Sequence, residues 1–576
     1  MGTVGVIIAE LKSEDIQLRL NSIRNLTTIA KSLGPERTRN ELLAFLKESL
    51  EDEDEVLLAL SEELGKLVPF LGGNEHAYVL LEPLEALSKI EETLVRDKAV
   101  ESLTKVIPSM TDDNFEEHCI GLVKRMISGE WFTGKSSACG LFHVIYPRVS
   151  PPAQTELRGI IKTLSEEETP MVRRSACLHL KKVIPSIDKE SLKKEIIDIF
   201  KAFSKDEQET VRLQSVENGV ALATQLSEED NQQHIKPVIL ACAADKSWRV
   251  RFMVASTFID LVGAFGTDIT QTDMIPLYIK LLKDSEAEVR LTAVSKLAGI
   301  TQIVGSECVS KLVLPTIKGL LTDESQNVRA SLASDIMDLA VVFGKTLSTE
   351  YLMDFILQLL KDEVSEVRHN IISKLNLITP ILGKEEISVH ILPAIIELAE
   401  DRQWRVRLAI VQFVPDLALH LGAENFNDKI GALCMNFIGD CVYSIREAAS
   451  VNLQYLTKNF GGDWFVKNIL PKIVEISKST NYLYRVTSLF TISSLVNILD
   501  ANIIAEHLLP IVLQLVNDKV PNIRLNVAKT LKELIQGKVI ESGVLETTVK
   551  TSLTVMTEDK DMDVRYFANA ALQAIN

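Results

Sequence analysis

Asp401 and Arg407 stand six residues apart, and stepping back by 39 residues finds the same two residue types each time. The series runs Asp362 and Arg368, Asp323 and Arg329, Asp284 and Arg290, Asp245 and Arg251, Asp206 and Arg212. Stepping forward gives Asp440 and Arg446, then Ser479 and Arg485, then Asp518 and Arg524, and one step of 41 reaches Asp559 and Arg565. Toward the N-terminus the lattice passes through Arg173, Lys135, Arg96, Leu58 and Arg19, with a one-residue slip at two steps, making fifteen repeats. Proline keeps the same phase: Pro237, Pro276, Pro315, Pro393, Pro471 and Pro510 each lie 14 residues before the arginine. A period near 40, with apolar runs on both sides of a short acidic turn, predicts an all-α superhelix of stacked helical pairs.

Length supports this reading. A single compact core stops growing near about 250–300 residues, whereas this chain keeps one uniform pattern over 576, so 1–576 is read as one continuous solenoid. The net charge of −17 argues against nucleic acid as the main partner, because phosphate binding needs uncompensated basic surface. The seven cysteines are scattered and without a CxxC pair, the pattern of reduced thiols in an intracellular protein. Residues 1–11 lack the basic stretch of a leader and the Ser or Thr of a myristoylation signal. No apolar run approaches the ~18 residues of a membrane span. The expectation is a soluble protein of the cytoplasm, with the nucleus as a second place.

Local patterns fill in the repeat. The first repeat pairs helices over 3–12 and 15–33, and the second pairs 40–50 with 55–71, stopped by Gly72 and Gly73. The acids at 51–54 between that second pair fit a helix N-terminus, where they meet the positive end of the dipole. Further on, 503–516 reads as a helix kinked by Pro510, and 517–521 as the turn. Asn522 then caps a second helix whose apolar stripe is Ile523, Val527, Leu531 and Leu534. Stacking sets each turn Asp near the Arg of a neighbouring repeat, giving a ladder of exposed charge-assisted pairs worth about 0–1 kcal/mol each. Ser479, in an acid's place, marks a soft point in that ladder.

Candidate chemistry is sparse. Trp131, Trp248, Trp404, Tyr443 and Tyr482 fall in or beside the turns, outside the apolar stripe. Each is either an interface anchor or packing against the next turn; Trp464, after Gly461 and Gly462, reads as structural. GEWFTGKS at 129–136 fits a phosphate-binding loop pattern in full. Such a loop follows a buried strand, whereas 115–127 reads as a helix and Lys135 falls at the ladder phase. The nine histidines form no metal-ligand spacing, so neither a metal, a cofactor nor a catalytic residue is expected.

Proline, then Asp eight residues on, then Val-Arg five and six beyond, matches the consensus of HEAT repeats. The segments NSIRNLTTIA (21–30), EWFTGKSSACGLF (130–142), TPMVRRSA (169–176), DKSWRVRFMVA (245–255), LPAIIELAEDRQWRVRLAI (392–410) and NYLYR (481–485) resemble the scaffolding A subunits of protein phosphatase 2A. That resemblance runs from end to end and implies a non-catalytic, horseshoe-shaped scaffold, with neither cofactor nor membrane insertion. Its C-terminal repeats, 381–576, would dock the phosphatase catalytic subunit through Trp404, Arg405, Tyr443, Tyr482 and Arg485. Its N-terminal repeats, 1–380, would dock regulatory B-type subunits, one at a time, through Trp131, Glu168, Arg174, Trp248 and Arg249. The products would be a heterodimeric core enzyme and a heterotrimer. Gln403 and Glu168 stand where the family has lysine and aspartate, and both bear on partner preference. Two further readings are a HEAT-type transport receptor wrapping a cargo, and an enzyme built on 129–136.

Overall fold

The structure is a computed structural model describing residues 9–48, 50–113 and 115–575. The expected helix over 3–12 lies mostly outside the described residues. Among the described residues every regular element is helical. The chain divides into two compact units, Met1–Lys296 and Leu297–Asn576.

Within each unit the helices pair and stack as the period requires. Pro151–Ser165 packs on Pro170–Val183, and Leu470–Ser477 on Tyr482–Leu495, each a first helix against the second helix of its own repeat. Second helices also pack on second helices of the next repeat: Pro170–Val183 on Glu209–Gln225, Trp404–Leu421 on Tyr443–Phe460, Pro521–Gln536 on Met562–Gln573. The stripe Ile523, Val527, Leu531 and Leu534 is wholly buried. Each such side chain contributes about 1.5–3 kcal/mol, so burial holds the stack together.

Four details of the helices differ from the sequence reading. The helix after the acidic run ends at Leu64, followed by a 3-10 turn over Val68–Phe70. A Cβ at Gly65 would lie 2.6 Å from Ser102 Oγ, so this glycine serves a close helix crossing. Asn522 does not cap; Val520 holds the cap position and Pro521 opens the helix, where its missing N–H is needless. In place of the expected proline kink, the first helix carries a π-turn that needs no proline. It occurs in proline-bearing repeats (Asn231–Ile235, Ile504–Leu508) and in proline-free ones (Ser348–Leu352, Asn427–Gly431) alike. A π-turn already leaves one carbonyl without an amide, so proline just after it removes no further bond. Finally, some second helices are broken, as where Trp248–Ser256 gives way to Phe258–Phe265 at Thr257.

A second lattice accompanies the first. Gly266, Gly305, Gly344, Gly383, Gly422 and Gly461, spaced by 39, all adopt φ between 72° and 93°. They close second helices such as Trp404–Leu421 and Tyr443–Phe460 in the left-handed region that a Cβ disfavours.

The Asp–Arg ladder holds the turns. Arg212 Nε and Nη2 donate to Asp245 Oδ2 and Oδ1 at 2.7 and 3.0 Å, and Arg212 Nη1 donates to the Asp206 carbonyl of its own turn at 2.8 Å. Asp245 in turn accepts the Ser247 amide at 2.8 Å, and its carbonyl accepts Arg251 Nη1 at 2.8 Å. The same two-oxygen grip joins Arg19 to Asp52, Arg173 to Asp206 and Arg251 to Asp284. In the second unit it joins Arg329 to Asp362, Arg407 to Asp440, Arg485 to Asp518 and Arg524 to Asp559; Arg368 pairs with Asp401 at 2.7–2.8 Å. Arg290 holds the Asp284 carbonyl at 2.8 Å, and Asp323 accepts the Ser325 amide at 2.8 Å. Asp52 thus gives the acidic run at 51–54 a ladder role beyond the helix dipole. Arg446 departs from the scheme: it bonds the Thr487 hydroxyl, because Ser479 offers no carboxylate. Lys135 pairs with Glu167 at 3.1 Å, and Arg96 holds the Ile90 and Glu91 carbonyls and Thr93.

The Asp-to-Arg pairs are not surface pairs. Their side chains keep only 7–18% of their area exposed, so solvent screens them less than the sequence reading assumed. Burial pushes the Asp284 carboxyl up, but the bonds from Arg251 and the Glu286 amide outweigh it and leave it below its ordinary value. Asp206, Asp245, Asp440 and Asp518 behave alike.

Gly422→Ala meets no atom within 4 Å but must hold φ 75°, so it lowers the urea stability of the full chain by about 1–2 kcal/mol. Gly319→Ala, equally uncrowded and with no positive φ, raises it by about 0.5–1 kcal/mol. For the ladder, a depressed folded pKa means stability that is complete above the ordinary carboxyl value, about 4, and lost as pH falls through the lower folded value. Asp284→Asn therefore costs about 2 kcal/mol at pH 7. By hydrogen exchange over 245–290, the difference from the unaltered chain shrinks as pH falls below about 4.

Candidate functional site

The turns present a row of side chains left outside the core. Trp248, Trp404, Tyr443 and Tyr482 are each the first residue of a second helix, and Trp131 directly precedes Phe132–Ala138. At that place the side chain projects from the turn, and the first buried residue comes later, at Val250, Val406, Ile445 and Thr487. The ladder arginine, three residues on in the four helices that open with an aromatic, pins the same turn.

Exposure varies along the row. Trp131 is 77% exposed, Tyr443 59% and Tyr482 41%, while Trp248 and Trp404 are half-buried. Arg249 lies over the Trp248 ring and Arg405 over the Trp404 ring, each with its guanidinium 4.9 Å from the centroid. This repeated Trp-Arg stack keeps both planar groups presented together. Trp248 also meets Phe252 edge-on at 6.3 Å, and Arg249 pairs with Glu209 at 3.1 Å. A bond from Ser247, with Arg249 nearby, holds the Glu209 carboxyl below its ordinary value. Tyr443 bonds Glu447 at 3.3 Å; burial, with Glu447 beside it, pushes its phenol up, so the hydroxyl stays protonated at neutral pH.

The remaining named residues sort by what they have left to offer. Glu168 and Arg174 flank the start of Pro170–Val183 and are exposed, and the Glu168 carbonyl accepts from Arg173 at 2.9 Å. Arg405 and Arg249 are likewise exposed. Arg485 differs, since its guanidinium is engaged by Asp518 and by the Ser479 and Thr480 carbonyls. Trp464 is buried, donating to Asn427 Oδ1 at 2.8 Å and meeting Phe460 edge-on, as its structural reading requires.

The sequence reading missed part of the row. Met562, 72% exposed, opens its helix as Tyr443 does, and Leu94 and Met171 are exposed in second place in theirs. Aromatic character had drawn attention to the row, whereas phase relative to the ladder arginine finds these apolar members as well.

Segment 129–136 has the geometry of a helix crossing. Helix Phe115–Ile127 precedes it, and its second half already belongs to helix Phe132–Ala138. A Cβ at Gly134 would lie 2.7 Å from the Met126 carbonyl, and Lys135 is taken by Glu167. Glycine and lysine are thus accounted for by packing and by the ladder. Among the described residues no cluster of His, Cys, Asp and Glu could hold a metal, and no single helix is long and apolar enough to cross a membrane.

Known proteins share these features. A PPP2R1A-like HEAT repeat model matches residues 267–344, and a HEAT repeat model matches 508–537. Over 177 residues the chain is 54% identical to a probable serine/threonine-protein phosphatase PP2A regulatory subunit of Caenorhabditis elegans, covering 31% of this chain and 30% of that one. It is 52% identical over 194 residues to the alpha isoform of the 65 kDa regulatory A subunit of serine/threonine-protein phosphatase 2A from Arabidopsis thaliana, covering 34% and 33%. The protein phosphatase 2A scaffold subunit of Dictyostelium discoideum is 52% identical over 193 residues, 33% of each chain. The matched stretches therefore span about a third of these curated relatives. In fold, the chain resembles importin beta, with a TM-score of 0.61 at 13% identity over 99% of this chain and 77% of that one. The chain is all-α, carries HEAT-repeat matches over 267–344 and 508–537, and is similar over about a third of its length to the 65 kDa regulatory A subunits of protein phosphatase 2A.

Proposed function

We propose that the chain is a non-catalytic scaffold for a protein phosphatase 2A. In this reading repeats within 381–576 hold the catalytic subunit, while repeats within 1–380 hold one exchangeable regulatory B-type subunit. The carrying observation is identity above one half to relatives named as regulatory and scaffold subunits of that phosphatase. The turn geometry supports it independently. Exposed rings and stacked arginines on pinned turns are what an interface core uses, because rigid Trp, Tyr and Arg lose little entropy on docking. Trp404, Arg405, Tyr443 and Tyr482 would face the catalytic subunit, with Arg485 setting the turn that carries Tyr482. Trp131, Glu168, Arg174, Trp248 and Arg249 would face the regulatory subunit. The likeness to importin beta is one of fold and lends the transport-receptor reading no specific support.

Size-exclusion co-elution with a purified protein phosphatase 2A catalytic subunit tests this. The unaltered chain should form a stoichiometric complex, and the Trp404→Ala/Tyr443→Ala double variant should bind at least ~100-fold more weakly, as loss of two anchors implies. Trp131→Ala/Arg174→Ala should leave that complex intact and weaken capture of a B-type subunit. Failure of the unaltered, folded chain to bind would sink the proposal.

A further inference from the structure

The ladder lacks one acid between Tyr443–Phe460 and Tyr482–Leu495. Arg446 is buried and, like its counterparts, donates Nη1 to the carbonyls of its own turn, Asp440 and Cys441, at 2.8 and 3.1 Å. The position 33 residues on, an aspartate for Arg173, Arg212, Arg251, Arg329, Arg368, Arg407 and Arg485, is Ser479. Its hydroxyl is too short to meet the guanidinium, so Arg446 Nε turns to Thr487 Oγ1 at 3.1 Å. Arg446 Nη2, which grips a carboxylate oxygen in Arg407 and Arg485, has no acceptor among the described residues.

Everything else at Ser479 is built as in an aspartate rung. Its Oγ accepts the Asn481 amide at 3.2 Å, as Asp440 Oδ1 accepts that of Val442, and its carbonyl accepts Arg485 Nη1 at 2.7 Å. Only the anion is missing. Space is present too: a cavity of about 310 Å³ borders Ser479, with Lys472, Glu475 and Tyr484 on its wall. Lys472 is tied there to Glu475 at 2.8 Å. Ser479 is partly exposed in a turn flanked by exposed Lys478 and Thr480.

We propose that Ser479 is a phosphorylation site whose phosphate supplies the missing rung to Arg446. A serine/threonine kinase would transfer the γ-phosphoryl of a nucleoside triphosphate. The bond from Ser479 Oγ to phosphorus forms, the bond to the β-phosphate oxygen breaks, the hydroxyl proton passes to the kinase's base, and the nucleoside diphosphate leaves. Phosphoserine carries a charge of about −1.5 to −2 at neutral pH, and its oxygens extend past those of an aspartate. It therefore reaches an arginine drawn back toward Thr487 and meets it through two N–H donors. Lys472 adds attraction and Glu475 opposes it. Closing the rung stiffens the stacking of the two repeats, whichever partner docks there.

The test uses the full chain with phosphoserine encoded at 479, beside the unmodified chain and the Arg446→Gln forms of both. Hydrogen exchange over 440–447 and 479–487 should slow by at least about tenfold with the phosphate, and Arg446→Gln should abolish the slowing. Unchanged exchange, or equal slowing without Arg446, overturns the rung. Peptide mass spectrometry of the chain isolated from its own cells should find phosphate on Ser479; phosphate confined to Thr480, or none, overturns the modification site.

Discussion

A ladder arginine such as Arg212 does two things at once, and the turns depend on both. One arm of the guanidinium closes its own turn by holding the carbonyl six residues back, and the other two donors grip the aspartate of the next repeat. That aspartate is itself committed, since the same carboxylate accepts the amide two residues on. Turn shape and repeat-to-repeat register are therefore one hydrogen-bonded system. Burial of stripes such as Ile523, Val527, Leu531 and Leu534 supplies far more free energy per repeat than any one pair. An apolar stripe slides with little penalty, whereas a two-point guanidinium–carboxylate grip does not.

The proposed docking role rests on what pinned turns can display. A first helical residue three positions before the arginine lies outside its repeat's buried stripe, so its side chain is presented at a fixed place. Where that residue is Trp or Tyr the turn becomes a rigid aromatic knob, and in Trp248-Arg249 and Trp404-Arg405 the following guanidinium is stacked on it. Repeats with small or polar residues there, such as those opening at Ala287, Gln326 and Ser365, offer no such knob. The side chain displayed is thus set repeat by repeat, on a stack whose core pattern need not change.

Much of this was legible in the sequence because a 39-residue lattice constrains two polar residues at once. Helical pairing, the apolar stripe and the Asp–Arg partnership all follow from period and phase. What the sequence hid was local and geometric. Proline marked the irregularity in the first helix but is not needed for it, since Ser348–Leu352 is a π-turn in a repeat without one. The glycine lattice from Gly266 to Gly461 was in plain view, yet its meaning lies in a positive φ that residue identity alone does not give. Arg485 looks like a contact by its place in NYLYR, but its donors are engaged within the chain. For 129–136 the letters match a phosphate loop, while the flanking helices and the Met126–Gly134 crossing decide otherwise.

The central claim is that the pinned aromatic turns of the C-terminal repeats form the docking edge for a phosphatase catalytic subunit. Its most direct measurement is the hydrogen-exchange footprint of the full chain, taken alone and with the catalytic partner in saturating excess. The account predicts new protection centred on 401–408, 440–447 and 479–486, with the turns at 129–136 and 168–174 unchanged. Protection at those N-terminal turns instead, or none at 401–408, would contradict it.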